Sequence, residues 1–320
     1  MDATLKTTRF ISVVVPVYNS ELILPELVKR LEPALTSLSG QFEVVLVNDG
    51  SRDQSWKVIQ ELSRSFTWVR GINLMRNYGQ HNALLCGIRA ARFETTVTMD
   101  DDLQHPPEEI HKLVAKLDEG FEVAYGFPEH EQHGLLRDIA SGLTKLALQK
   151  SMGAETARRV SAFRAFRTQA RDAFASYHSP FVSIDVVLTW ATTRFVAIQV
   201  RHDPRRAGIS NYTFGMLFRH AMNMMTGFST LPLQLANLMG FLCTAFGGLI
   251  LLFVIGRYLL YGTTVQGFTF LASIIAIFSG AQLLALGIIG EYLARMHFRM
   301  MERPTYTIRE EIASRDEAMT

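Results

Sequence analysis

Cysteine is scarce in this chain of 320 residues. Cys86 and Cys243 stand far apart in different settings, which argues against a disulfide framework and fits a reducing compartment. A strong charge balance is also missing. The formal net charge is +2, so composition gives no sign of a nucleic-acid partner. The first residues, MDATLKTTRF, lack a basic region followed by an apolar run and a cleavage site, which predicts no signal peptide. Internal repeats and low-complexity segments are absent as well. Most telling are two stretches without charge. Between Arg219 and Arg257 only His220 can carry one, and between Arg257 and Glu291 nothing can. A bilayer-spanning helix needs about 20 apolar residues, so each stretch has room for one.

What is present before residue 127 is an alternation. Apolar strand candidates at 11–18, 42–49, 68–74, 95–100 and 121–126 are separated by helical patterns at 20–35, 53–66, 79–93 and 106–120. The last pattern begins with Pro106 and Pro107, carries Glu108 and Glu109 behind them, and closes on Gly120. Its Ile110, Leu113, Val114 and Leu117 share one helical face. Short apolar strands alternating with helices predict an α/β fold with a mainly parallel sheet covered on both faces. Ligands in such sheets bind beyond the carboxyl ends of the strands. Asn48-Asp49 and the acidic run Asp100-Asp101-Asp102 stand at two such ends.

Three adjacent carboxylates repel one another, and a fold does not need them. A hard divalent cation does: Mg2+ typically takes one or two carboxylates together with substrate phosphates. In an extended segment residues i and i+2 face the same way, so Asp100 and Asp102 can share a ligand while Asp101 points elsewhere. Gln104 offers a further oxygen. The competing reading is a solvated acidic turn capping the helix that starts at Pro106.

Further along, residues 127–212 are more basic and contain one more strand candidate, 195–200. Residues 213–228 place Phe214, Leu217, Phe218, Ala221, Met222, Met225 and Phe228 at spacings of three and four, which predicts an amphipathic helix in a membrane interface. The alternative is a soluble core helix. Leu235 to Gly256 and Phe268 to Ile289 are the expected spans, joined by the uncharged turn Gly262–Gly267. Arg201, Arg205, Arg206 and Arg219 precede this hairpin and Arg295, Arg299 and Arg303 follow it, which predicts cytoplasmic termini and a multi-pass protein of the inner (plasma) membrane.

Six ordered stretches carry a resemblance: VVVPVYNSE (13–21), LVNDGSRD (46–53), RNYGQHNALLCGIRAA (76–91), MDDDLQHPPEEI (99–110), SAFRAFR (161–167) and RRAGISNYTFG (205–215). Together they resemble the polyprenyl-phosphate glycosyltransferases of glycosyltransferase family 2. That group includes dolichyl-phosphate mannose synthases and bacterial undecaprenyl-phosphate sugar transferases. The resemblance covers about residues 10–305 and implies a GT-A fold, a nucleotide-binding α/β sandwich. It implies a cytoplasmic GT-A domain over 1–212, an interface helix over 213–232, two transmembrane helices within 233–292 and a cytoplasmic tail over 293–320.

The resemblance also implies roles. Pro16, Tyr18, Asn19, Asp49, Arg76, Asp100 and Asp101 would serve the donor nucleotide. Asp100, Asp102 and Gln104 match the motif for Mg2+ or Mn2+, and Asp101 has no ligand role within it. Arg137, Ser141 and Arg164, with Arg167 behind them, match positions for the acceptor phosphate, for which the guanidinium fork is suited. Arg206, Gly208, Ser210 and Tyr212 match a mobile loop whose arginine reaches the donor diphosphate, so Asp102 and Arg206 would be catalytic. The expected partners are a nucleotide-diphosphate sugar, a polyprenyl phosphate and the membrane, with apolar surface that could mediate a homo-oligomer.

The implied reaction is inverting sugar transfer to undecaprenyl phosphate, with UDP-glucose as the first donor. Aminoarabinose derivatives, N-acetylhexosamines and mannose are the alternatives. A processive polysaccharide synthase would carry an Arg-Trp motif, and none of Trp56, Trp68 and Trp190 follows an arginine. A non-catalytic membrane-anchored adaptor and a transferase acting on a soluble acceptor are the other readings.

Overall fold

The computed structural model describes residues 9–128, 159–179, 182–203, 231–262, 267–301 and 303–312. These separate into two units, one containing the sheet and one containing residues 219–301.

The first unit is built on eight strands: β1 (Phe10–Val17), β2 (Gln41–Asn48), β3 (Val69–Leu74), β4 (Thr95–Thr98), β5 (Val123–Pro128), β6 (Arg164–Arg167), β7 (Phe195–Val200) and β8 (Ile308–Ile312). Their order is β7-β5-β6-β4-β1-β2-β3-β8. β1, β2, β3 and β4 are parallel neighbours, and β5 and β7 pair in parallel. β6 runs antiparallel to both β4 and β5, and β8 runs antiparallel to β3. Among the described strands six therefore run one way and β6 and β8 run against them, so the sheet is mainly parallel, as expected.

Why the central strands read as continuous apolar runs is evident from their burial. β3 is buried along its length and β1 from Ile11 onward. Helices α1 (Leu24–Leu38), α2 (Ser55–Ser65), α3 (Gln80–Ala90) and α4 (Ile110–Asp118) connect the strands. α1 buries Leu24, Leu27, Val28, Leu31 and Leu35, one stripe at helical spacing, against the core. α4 buries Ile110, Leu113, Val114 and Leu117, the four residues expected on its inner face. A further short helix, α5 (Ile184–Ala191), precedes β7. Two strands were not expected from sequence. β6 is the second half of SAFRAFR, and β8 lies in the stretch assigned to a tail. Arg70 of β3 links the edge together: it pairs with Glu43 of β2 and with Glu311 of β8, each at 2.8 Å.

The second unit holds two long helices, α6 (Leu231–Tyr261) and α7 (Phe268–Met300), and they pack on each other where Gly247 faces the Phe278 ring. Each contains a segment long and apolar enough to cross a membrane, Leu233–Leu260 and Ile277–Ala294. Their side chains are turned outward: Phe241 is 70% and Leu252 68% exposed. The expected interface helix at 213–228 lies outside the described residues.

Candidate active site

The carboxyl ends of β1, β2 and β4 converge as the sheet topology requires, and the loop after β3 joins them. They enclose a cavity of about 230 Å3 lined by Pro16, Val17, Tyr18, Asp49, Asn77, Gly79, Gln80, Asp100, Asp101 and Asp102. Four of the ten lining residues are aspartates and none is basic. An anionic ligand entering here needs a counter-cation.

Each aspartate is held differently. Asp49 accepts backbone N–H bonds from Tyr78 at 2.7 Å and Gly79 at 2.8 Å. It thus pins the loop after β3 to the end of β2. Burial raises its pKa, opposed by those two bonds. Gly50, at φ +65°, lets the same turn press on that loop: a Cβ there would lie 2.5 Å from the backbone of Arg76 and Asn77. Asp100 accepts from the Gln80 side chain at 2.6 Å. Asp102, only 7% exposed, accepts from the Gln104 backbone N–H at 3.1 Å.

Asp101 corrects an expectation. It does not turn away from the site. Its carboxylate accepts from the Ser20 hydroxyl at 2.5 Å and lies 3.4 Å from the Tyr18 backbone N–H, so it ties the turn after β4 to the end of β1. Burial pushes its pKa up to about 6, with the Ser20 and Tyr18 bonds opposing and the charge of Asp102 adding.

The other expected donor residues divide. Pro16 and Tyr18 line the cavity, with Tyr18 43% exposed. Asn19, at φ +55°, instead joins two loops: its N–H donates to Ser51 and its side-chain oxygen accepts from the Arg52 N–H. Arg76 lies outside this cavity, its guanidinium 4.6 Å above the Tyr78 ring. Gln104 also stands outside the lining, and its backbone carbonyl accepts from the Asp203 N–H at 2.8 Å.

Two acceptor-side expectations are corrected. Arg164 is 1% exposed and forms an ion pair with Asp185 of α5, while its Nε donates to Thr98 Oγ1 at 3.0 Å. The Tyr125 hydroxyl donates to the same carboxylate at 3.1 Å. A guanidinium enclosed this way holds β4, β6 and α5 together and has no surface to offer a phosphate. Arg167 pairs in register with Thr95, the first residue of β4, and therefore lies at the end of the strands opposite the aspartates. Arg137, Ser141, Arg206, Gly208, Ser210 and Tyr212 lie outside the described residues.

Sequence reasoning passed over Ser20, Asn77 and Gln80, which line or brace the cavity. It also passed over His105, half-buried behind the turn, stacked on Phe163 and set edge-on to His202 at 5.0 Å between ring centres. Burial pushes its pKa down to about 4, with His202 adding and the charge of Asp102 opposing. Each of them nonetheless lies within a stretch that carries the resemblance: Ser20 in VVVPVYNSE, Asn77 and Gln80 in RNYGQHNALLCGIRAA and His105 in MDDDLQHPPEEI.

The chemistry of the lining fits a divalent cation. Among the described residues no group of three or more His, Cys, Asp or Glu side chains gathers as a ready-made metal cage. Asp100 and Asp102 would instead be the small number of carboxylates that Mg2+ takes when substrate phosphates complete its shell.

Comparison with known proteins gives the same direction. Residues 12–174 match the family model described as Glycosyl transferase family 2. An undecaprenyl-phosphate 4-deoxy-4-formamido-L-arabinose transferase of Shewanella sediminis is 37% identical over 94% of this chain and 92% of its own length. A protein of that name from Klebsiella pneumoniae is 33% identical over 96% of both chains. Among solved structures, glucosyl-3-phosphoglycerate synthase of Mycobacterium tuberculosis, in complex with Mn2+, uridine diphosphate and glucosyl-3-phosphoglycerate, superposes with a TM-score of 0.51. It is 17% identical and the match covers 69% of this chain and 79% of that one, a likeness of fold.

Proposed function

The chain belongs to glycosyl transferase family 2, and from that premise we propose that it transfers 4-deoxy-4-formamido-L-arabinose from a nucleotide-diphosphate donor to undecaprenyl phosphate. The observation that carries this reading is the near full-length match to relatives named for that reaction, in a chain whose acidic cavity stands at the strand ends. Those names favour the aminoarabinose alternative over UDP-glucose, the donor first expected.

Pro16 and Tyr18 would receive the nucleoside, and Asp100 and Asp102 would hold Mg2+ or Mn2+ against the donor diphosphate. When bound there, the cation supplies neutralisation of the charge that grows on the leaving nucleotide. Gln80 orients Asp100, while Asp101, Ser20 and Asp49 keep the three loops in register. An acceptor phosphate is already anionic near neutral pH, so it can attack C1 without a strong general base. In-line attack inverts the anomeric centre. Orienting donor and acceptor together supplies much of the remaining rate. Arg206 and its loop would close over the diphosphate, and Arg137 with Ser141 would meet the acceptor phosphate.

For the remainder of the chain we infer two membrane-crossing helices, α6 and α7, an interface helix over 213–232, and a catalytic unit over 1–212 facing the cytoplasm of the inner membrane. β8 returns to that unit after the hairpin.

The test is turnover by the purified full-length protein with undecaprenyl phosphate and the UDP-linked formamido sugar, beside UDP-glucose, with Mg2+ or Mn2+ and with EDTA. Lipid-linked product from the formamido sugar, lost with EDTA, is expected. Product from UDP-glucose alone restores the first donor. No product from any nucleotide sugar, with binding intact, leaves the adaptor reading.

A further inference from the structure

Beside the acidic cavity is a second one of opposite character. It measures about 380 Å3 and is lined by Arg76, Asn77, Tyr78, Asn82, Arg303, Pro304 and Thr305. Two guanidiniums line it and no carboxylate does. Asn77 lines both cavities, so they adjoin.

The juxtaposition is made by the register of β8. Leu74 pairs with Ile308, the Met75 N–H donates to the Thr307 carbonyl at 2.9 Å, and Arg309 donates to the Met75 carbonyl at 3.0 Å. These contacts carry Arg303 to Thr305 onto the loop that holds Arg76. Thr305 is 3% exposed, and the opposing loop is pinned by Asp49 and pressed by Gly50. Both walls of the cavity are thus built before any ligand arrives. The nearby acids are engaged elsewhere: Glu310 accepts from Trp56 at 3.2 Å and Glu311 from Arg70 at 2.8 Å. Among the described residues, neither Arg76 nor Arg303 has a carboxylate partner.

Guanidiniums without carboxylates, joined by amide and hydroxyl groups in a preformed hollow, suit a tetrahedral oxyanion that accepts forked N–H bonds. We propose that Arg76 and Arg303 form a phosphate subsite next to the donor cavity, completed by the segment that follows the membrane hairpin. Its physiological ligand rests on the transferase reading, as the phosphate of the lipid acceptor or that of the nucleotide donor. Its affinity for phosphate does not.

The experiment uses full-length protein in detergent micelles, with EDTA present, and equilibrium dialysis against radiolabelled inorganic phosphate. Wild type should bind saturably. Arg303→Gln and Arg76→Gln should each weaken binding at least about tenfold, and Arg303→Lys should recover part of the loss because it restores the charge. Thermal melts of each variant should match wild type, since Arg303 is exposed. Displacement of the label by undecaprenyl phosphate assigns the subsite to the acceptor, and displacement by UDP assigns it to the donor. In transfer assays the matching KM should rise about tenfold in Arg303→Gln while kcat stays within twofold. Phosphate binding that is absent in wild type, or equal in wild type and both glutamine variants, overturns the subsite. Arg303-dependent phosphate binding in a protein that transfers no sugar would instead overturn the transferase reading and leave the subsite standing.

Discussion

Ser20, just past the first strand, donates its hydroxyl to Asp101, the middle of three consecutive aspartates after the fourth strand. The bond joins the two strand ends that the cavity needs side by side. All three line the cavity, but the bond sets Asp101 apart, because its carboxylate is spent on the fold and Asp100 and Asp102 are left as the candidate ligands. Asp102→Asn should abolish turnover and leave the melting temperature unchanged. Asp101→Ala should lower both, with a stability loss of about 1–3 kcal/mol from stranding buried donors. Melting curves and initial rates on the same preparations check the split. Equal loss of turnover with no change in melting for either variant would make Asp101 a ligand too.

Cys86 is 1% exposed inside the sheet unit, and burial pushes its thiol up to about 12. At pH 8 roughly one such thiol in ten thousand is ionised, and the thiolate is the reactive form. In a Cys243→Ser background, native protein should resist iodoacetamide for hours and be modified within minutes in denaturant, as read by intact mass. Rapid native labelling would show that α3 opens far more readily than its packing allows.

The strands most legible in sequence were β1 and β2, whose uninterrupted apolar runs VVVPV and VVLV are buried throughout. β6 and β8 left none. Arg164 and Arg167 are the two ends of β6, and IREEI in β8 is polar because it is an exposed edge strand with Glu311 paired to Arg70. Local pattern could not show that Arg164 has a carboxylate waiting 21 residues later, so a basic residue in a family motif read as a phosphate ligand. The same limit applied to Asp101. Alternation along an extended strand says which way a side chain points, but β4 ends at Thr98 and the aspartates lie in a turn, where alternation no longer holds. Position at a strand end was legible; the partner across the gap was not.

Arg30 of α1 grips Glu108, in the turn after the aspartates, through two bonds of 3.0 and 2.7 Å. The hydrogen bond from Arg30 holds the Glu108 carboxyl below its ordinary pKa. A carboxylate with a depressed folded pKa stabilises above its unfolded value, about 4.3, and loses that contribution as the pH falls through the folded one. Glu108 is half exposed, so solvent screening keeps the pair to about 0.5 kcal/mol. Arg30→Met should therefore be slightly less stable than wild type at pH 7, with the difference shrinking as pH drops below about 4. Chemical denaturation at several pH values measures it. A difference that stays constant through that window would trace the effect to lost packing of the arginine stem.

Arg164 and Asp185 are a different case, because both are removed from solvent: the side chains are 1% and 14% exposed. Removing one partner strands a buried charge, which costs about 3–5 kcal/mol, whereas replacing both with apolar groups of similar size can be near neutral. Arg164→Met should therefore melt far below wild type, and Asp185→Leu likewise. The double variant should recover much of the loss, less what Thr98 and the Tyr125 hydroxyl forfeit as partners. An acceptor-phosphate role predicts the opposite pattern. In that case Arg164→Met would fold as wild type and raise the KM for undecaprenyl phosphate, and Asp185→Leu would not rescue it. The coupling between the two substitutions, read in melting temperature and in KM, decides between a brace and a ligand.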